Sequence, residues 1–165
     1  MIFVTVGTHE QQFNRLLKWV SNLVSKGIIK EKVIVQTGYS TYIPENCDSS
    51  PFFPYSQMLE YVKEARIVIT HGGPSSFIMP LQIGKTPIVV PRKEEFNEHV
   101  NNHQVTFCRT MSKRMGTILV VEEEEEFCKT ILEFDLLVKN INREMRCNNA
   151  KFNSELQKIV DDLLK

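Results

Sequence analysis

Short, almost wholly apolar runs alternate along this chain with longer stretches in which apolar residues return every three or four positions. Ile2, Phe3, Val4, Thr5 and Val6 predict a buried strand that breaks at Gly7. Phe13, Leu16, Leu17, Val20, Leu23 and Val24 predict an amphipathic helix over about 9–26. Thr8 and Gln11 stand at capping-box spacing before it, and Gly27 closes it. Val33, Ile34 and Val35 predict a second strand that ends in Gln36-Thr37-Gly38. A polar loop with Pro44, Pro51 and Pro54 follows, in which Phe52-Phe53 could form a very short strand. Met58, Leu59, Val62 and Ala65 predict a helix over about 56–65.

The alternation continues with a strand over 66–70 and a helix over about 74–83 closed by Gly84. Pro80 lies inside that helix, where it removes the bond to the Ser76 carbonyl and should kink it. A strand over 87–90, a helix over 97–113 and a strand over 116–121 come next. Beyond them Phe127, Ile131, Phe134 and Val138 share one helical face. Asn148-Asn149 interrupts, and Phe152, Leu156, Ile159, Val160, Leu163 and Leu164 form a second stripe. Strands alternating with helices imply an α/β fold: a Rossmann-like, doubly wound parallel sheet with right-handed crossovers. The expected organisation is one domain over 1–165, with a core of about 1–121 and C-terminal helices over about 122–165.

In such a sheet, ligands bind outside the carboxyl ends of the strands, where the strand order reverses. The unusual residues fall at those ends: Gly7-Thr8-His9, Gln36-Thr37-Gly38, Thr70-His71-Gly72-Gly73-Pro74-Ser75-Ser76 and Pro91-Arg92. Glycines between a strand and a helix leave free N–H groups at the positive end of a helix dipole, which attracts a phosphate or another anion. No G-x-G-x-x-G and no Walker A lysine motif is present, which sets aside the usual dinucleotide fold and the P-loop NTPases.

Charge narrows the partners. Lys plus Arg and Asp plus Glu are each 20, so the chain is neutral and lacks the basic excess of a nucleic-acid binder. Cys47, Cys108, Cys128 and Cys147 form no C-x-x-C pair and read as reduced thiols. Glu122 to Glu126 read as the solvated first turn of a helix. The N-terminus has no charged leader region, and no apolar run is long enough to span a bilayer, so any membrane work is expected to run through a partner. No acidic pair suited to a metal stands among the candidate site residues.

Five ordered blocks carry a resemblance: Val4-Thr-Val-Gly-Thr-His9, Gln36-Thr-Gly38, Ile69-Thr-His-Gly-Gly-Pro74, Gly84-Lys-Thr-Pro-Ile-Val-Val-Pro-Arg92 and Glu98-His-Val-Asn-Asn-His-Gln104. Together they cover about the first 110 residues. They resemble the C-terminal, donor-binding domain of family 28 glycosyltransferases, which have the GT-B fold. Within that family the chain is most similar to small stand-alone subunits. One such is the catalytic subunit of the two-part transferase that adds the second GlcNAc to a dolichol-linked oligosaccharide; others serve bacterial capsule and exopolysaccharide synthesis.

The resemblance implies inverting transfer of a hexose from a UDP-sugar to a lipid-linked saccharide, with no metal or cofactor. It places the donor diphosphate at the helix start formed by Gly73, Ser75 and Ser76, with His71 and Gly72 just before it and Gly7 and Thr8 facing it. Gln36 and Gly38 complete the donor pocket, and Arg92 is the expected cation for the diphosphate. Asn102, His103 and Gln104 match positions that bond the donor sugar, though they also suit a plain helix start. Many members carry, five residues before the glycine matched by Gly84, a glutamate that bonds the ribose hydroxyls; Met79 stands there in this chain.

His9 is the candidate catalytic residue: a general base for the acceptor hydroxyl, an orienter of phosphate oxygens, or a polariser of its loop. The resemblance further implies a membrane-anchored acceptor-binding subunit, the N-terminal half of a GT-B enzyme. The chain would then be cytoplasmic and held at the inner face of the membrane through that partner. The stripe over 152–164 could dock there or pack back on its own domain. A non-catalytic activating or nucleotide-sugar-binding subunit is the alternative reading.

Overall fold

A computed structural model describes residues 1–141. The apolar stripe over 152–164, Asn148-Asn149 and Cys147 lie outside the described residues. Six parallel strands form one sheet: β1 (Ile2–Thr5), β2 (Val33–Gln36), β3 (Asp48–Ser50), β4 (Ile67–His71), β5 (Ile88–Val90) and β6 (Leu119–Val120). Their spatial order is β3-β2-β1-β4-β5-β6. The chain winds outward from β1 to one edge, returns, and winds outward through β4 to the other. The order therefore reverses between β1 and β4, the place where doubly wound sheets hold ligands. Ile2 pairs with Val33 on one side and Ile67 on the other, so β1 is the central strand.

Helices cover both faces, which is why β1, β2, β4 and β5 are buried throughout and read as continuous apolar runs. Ile2, Val4 and Val6 point to one face, against Leu16, Leu17, Val20 and Leu23 of α1 (Asn14–Ser25). Phe127 and Ile131 of α5 (Glu124–Leu132) and Phe134 of α6 (Phe134–Lys139) complete that layer. Phe3, Ile34 and Val68 point to the other face, against Val62 of α2 (Tyr55–Glu64) and Met79 of α3 (Pro74–Gln82). Phe77, Val89, Cys108 and Ile118 extend it under α4 (His103–Met115). Lys85 fixes the far end of α2: its Nζ donates to the carbonyls of Val62 at 2.8 Å and Ala65 at 2.6 Å, and to that of Lys63.

Three element boundaries differ from the sequence reading, each for a local reason. The first helix begins at Asn14 and the Thr8–Gln11 capping box does not form. Residues 8–13 are instead held as a loop, because the Arg92 guanidinium takes the carbonyls of Gln11 at 2.8 Å and Gln12 at 3.0 Å. Phe13 N–H donates to Ser40 Oγ, and Asn14 N–H donates to Gln12 Oε1. The short strand near the prolines is Asp48–Ser50, not Phe52-Phe53. Phe53 packs against Tyr61, ring centroids 5.1 Å apart, and against Phe3 at 6.4 Å. The helix expected from residue 97 starts at His103. Glu94–Phe96 make a 3-10 turn and Asn97 is left-handed, with φ 54°. Buried Glu98 holds this loop: its carboxylate accepts the Lys93 N–H and pairs with Arg15 at 2.8 Å.

Arg92 is the largest fully buried side chain. Besides Gln11 and Gln12, its guanidinium donates to the carbonyls of Val6 at 2.8 Å and Glu98 at 3.1 Å. The expected diphosphate cation is therefore a structural clamp that faces away from solvent. Burial lowers its pKa to about 10, and the Glu98 charge opposes that shift, so the group is charged at neutral pH. Removing it strands four carbonyls in the interior. Arg92→Ala should lower the unfolding free energy by about 3–5 kcal/mol in urea titrations.

Candidate functional site

The carboxyl ends of β1, β2 and β4 and the starts of α2 and α3 enclose a cleft of about 640 Å³. Gly7, Thr8 and His9 form one wall, Ser75 and Ser76 the facing one, with His71 and Gln36 in the floor. The far half is lined by Tyr55 and Met58 of α2 and by Ile78, Met79 and Gln82 of α3. Ser75, Ile78 or Met79, and Gln82 recur at helical spacing, so one face of α3 forms a side of the cleft along its whole length.

His71 organises the phosphate-like end. Its Nδ1 accepts the Gly73 N–H at 3.0 Å, and its Nε2 lies 2.9 Å from Ser76 Oγ. An Nδ1 that accepts places the ring proton on Nε2, so the ring donates to Ser76 Oγ and leaves the Ser76 hydroxyl proton free for a ligand. Burial, then the charges of Arg92 and His9, push the His71 pKa down to about 3, so the ring is neutral. The two flanking glycines exist for this ring. A Cβ on Gly73 would sit 2.2 Å from His71 Cε1, and one on Gly7, where φ is +77°, would sit 2.3 Å from Nε2.

The consequence for the helix start is specific. The Gly73 N–H is spent on His71, Pro74 has none, and Ser76 N–H donates to the Gly73 carbonyl at 3.1 Å. The Ser75 N–H bonds no acceptor among the described residues. That N–H, the two serine hydroxyls and the positive end of α3 are what an anion would meet.

Several expected residues are engaged by the protein itself or lie outside the cleft lining. Gln36 is buried with both ends engaged: Nε2 donates to Thr5 Oγ1 and the Gly7 carbonyl, and Oε1 accepts the Phe53 N–H. Gly38 is left-handed and packs so closely that a Cβ would lie 2.7 Å from the Gly7 carbonyl oxygen. Gly72 packs under Gln104 and Cys108. Gln104 is turned inward and its Oε1 accepts the Arg92 backbone N–H at 3.1 Å, so it braces the loop after β5. Asn102 and His103 are exposed at the start of α4, with Asn102 Oδ1 accepting the Glu94 N–H.

His9 reaches the cleft wall, and its Nε2 is buried with no partner among the described residues. Its ring packs on His99 at 4.8 Å between centroids, and His99 packs on His103 at 4.5 Å. All four histidines of the chain thus gather at one site. Burial, then the charges of His103, His9 and Arg92, lower the His99 pKa. The first pair of rings is tilted by 42° and the second meets edge-on at 71°, and no group of three or more potential metal ligands occurs among the described residues. The sequence reading missed His99 as a member of this row, although its spacing of four from His103 was visible. It also missed Tyr55, Met58 and Gln82, which carry no signal apart from the fold.

The fold is a Rossmann-like, doubly wound parallel sheet with a cleft at its switch point. Two solved structures share the fold. The glycosyltransferase SnogD from Streptomyces nogalater superposes with a TM-score of 0.54 at 16% identity, over 84% of this chain and 36% of that one. The glycotransferase of kitacinnamycin gives 0.59 at 14% identity, over 85% and 37%. Residues 1–163 match the glycosyltransferase family 28 C-terminal domain, and the chain belongs to that family. The human (Homo sapiens) UDP-N-acetylglucosamine transferase subunit ALG13 is 33% identical in an alignment of 121 residues that covers 68% of this chain and 10% of that protein. The chain thus spans about a tenth of the length of that relative.

Neutral His71 sets a pH dependence. Its folded pKa of about 3 lies below the ordinary 6.5, so between those values the unfolded chain takes up a proton that the folded one refuses. Stability is full above about pH 6.5 and falls as the pH drops toward 3, by up to about 1.4 kcal/mol per pH unit for this one group. Urea unfolding across that range should show the slope, and His71→Asn should flatten it. Gly7→Ala should cost about 2–4 kcal/mol by the same assay, from its positive φ and the clash with the ring.

Proposed function

We propose that this chain is the donor-binding catalytic subunit of a two-component, inverting glycosyltransferase. It would move a hexose from a UDP-sugar to a lipid-linked saccharide in capsular or exopolysaccharide synthesis. The observation that carries this reading is the cleft's two unlike ends. One offers the Ser75 N–H, two serine hydroxyls and a helix dipole, which suit a diphosphate. The other offers Tyr55, Met58, Ile78 and Met79, whose apolar surfaces suit the pentose and base of a nucleoside better than a hydroxyl-rich hexose. The nucleoside therefore lies toward Gln82. The hexose lies toward Thr8, His9 and the exposed Asn102 and His103.

Among the described residues no Lys or Arg lines the cleft. As proposed, the charge that develops on the leaving nucleotide is met by oriented N–H and O–H donors and the α3 dipole, without a metal or cofactor. His9 is the proposed general base, because it lines the cleft and its Nε2 has no partner among the described residues.

The partner is part of the proposal. The two solved transferases are each nearly three times the length that this chain matches. ALG13 is named as a subunit. A membrane-anchored subunit would supply the acceptor half and hold this chain at the inner, cytoplasmic face. Transfer from a UDP-hexose to a lipid-linked acceptor should be absent with this chain alone and appear on co-expression with such a partner. Full activity of the chain alone would overturn the partner, and donor binding without turnover by the pair would favour a non-catalytic subunit. Ser76→Ala should weaken UDP binding by about five- to tenfold in calorimetry, from loss of one hydroxyl donor.

A further inference from the structure

The apolar half of the cleft carries a consequence for which nucleotides enter it. With a diphosphate at Ser75 and Ser76, the next group of the ligand lies alongside the following turn of α3. Met79 is three residues beyond Ser76, about 4.5 Å along the helix, and Gln82 is as far again. A pentose on the α-phosphate therefore rests on Ile78 and Met79, with Met58 opposite and the base toward Tyr55 and Gln82.

Nothing on that wall is built to hold a hydroxyl. Among the described residues no Asp or Glu lines the cleft. The Gln36 amide is engaged by Thr5, Gly7 and Phe53. Tyr55 and Gln82 are exposed, so any bond they offer a sugar competes with water. A site rejects an analogue lacking a hydroxyl when its own buried polar groups would be left unpaired; a wall of thioether and alkyl groups leaves none unpaired.

We propose that the cleft binds nucleoside diphosphates without regard to the 2′-hydroxyl, so that its donor class includes deoxyribonucleoside diphosphate sugars as well as ribonucleoside ones. This rests on the reading of the cleft as a nucleotide-sugar site, with Met79 as the residue that determines the breadth.

The test is calorimetric titration of the full chain with UDP and with 2′-deoxy-UDP. The dissociation constants should agree within about threefold, and a larger preference for UDP overturns the proposal. If neither nucleotide binds, the nucleotide-site reading itself falls and takes the proposal with it, which is a different result. Met79→Glu places a carboxylate at the pentose and should create a preference for UDP of about tenfold or more. An unchanged ratio in a variant with intact circular dichroism also overturns the proposal. Should that variant fail to fold, Met79→Gln should give a smaller preference, about threefold to fivefold, and no change there is equally fatal.

Discussion

The buried guanidinium of Arg92 is the contact on which the rest of this structure depends. It joins both ends of the loop between β1 and α1 to the turn ahead of α4 by donating to carbonyls of Val6, Gln11, Gln12 and Glu98. Those segments come from opposite windings of the sheet, and Gln12 Nε2 joins them a second time by donating to the Phe96 carbonyl at 2.9 Å. Gln104 ties the Arg92 backbone to α4, and the Arg15–Glu98 pair closes the same layer from the side of α1. A charge so placed is costly to desolvate, and each carbonyl it engages offsets part of that cost. The clamp does not line the cleft, yet its charge reaches the His71 ring in the floor and helps to keep it neutral.

The sheet was legible because parallel strands buried on both faces are unbroken apolar runs; β1, β2, β4 and β5 all carry that mark. What was not legible is decided by contacts distant in sequence. The start of α1 moved because Arg92, some eighty residues on, holds Gln11 and Gln12 in a loop. The start of α4 moved because buried Glu98, paired with Arg15 on α1, anchors its approach. β3 went unnoticed because Asp48, Ser49 and Ser50 form an edge strand with no apolar pattern.

The site shows the same division. His71, Ser75 and Ser76 of the run expected to meet a phosphate line the cleft, yet its glycines serve a different end from the one their pattern suggests. Gly73 and Gly7 make room for the His71 ring, which then arranges Ser76. Arg92 and Gln104 carry the right chemistry for a ligand but point inward. A motif reports that a residue type is required and leaves open whether the requirement comes from ligand or from neighbour.

The gathering of His9, His71, His99 and His103 has an experimental meaning of its own. The sequence contains four histidines, and all four stand at or beside the cleft. Every imidazole resonance in a nuclear magnetic resonance spectrum of this protein therefore originates at the site. The protein carries a built-in, label-free set of reporters on ligand entry, with His71 inside the wall, His103 at its outer edge and no background signal from elsewhere.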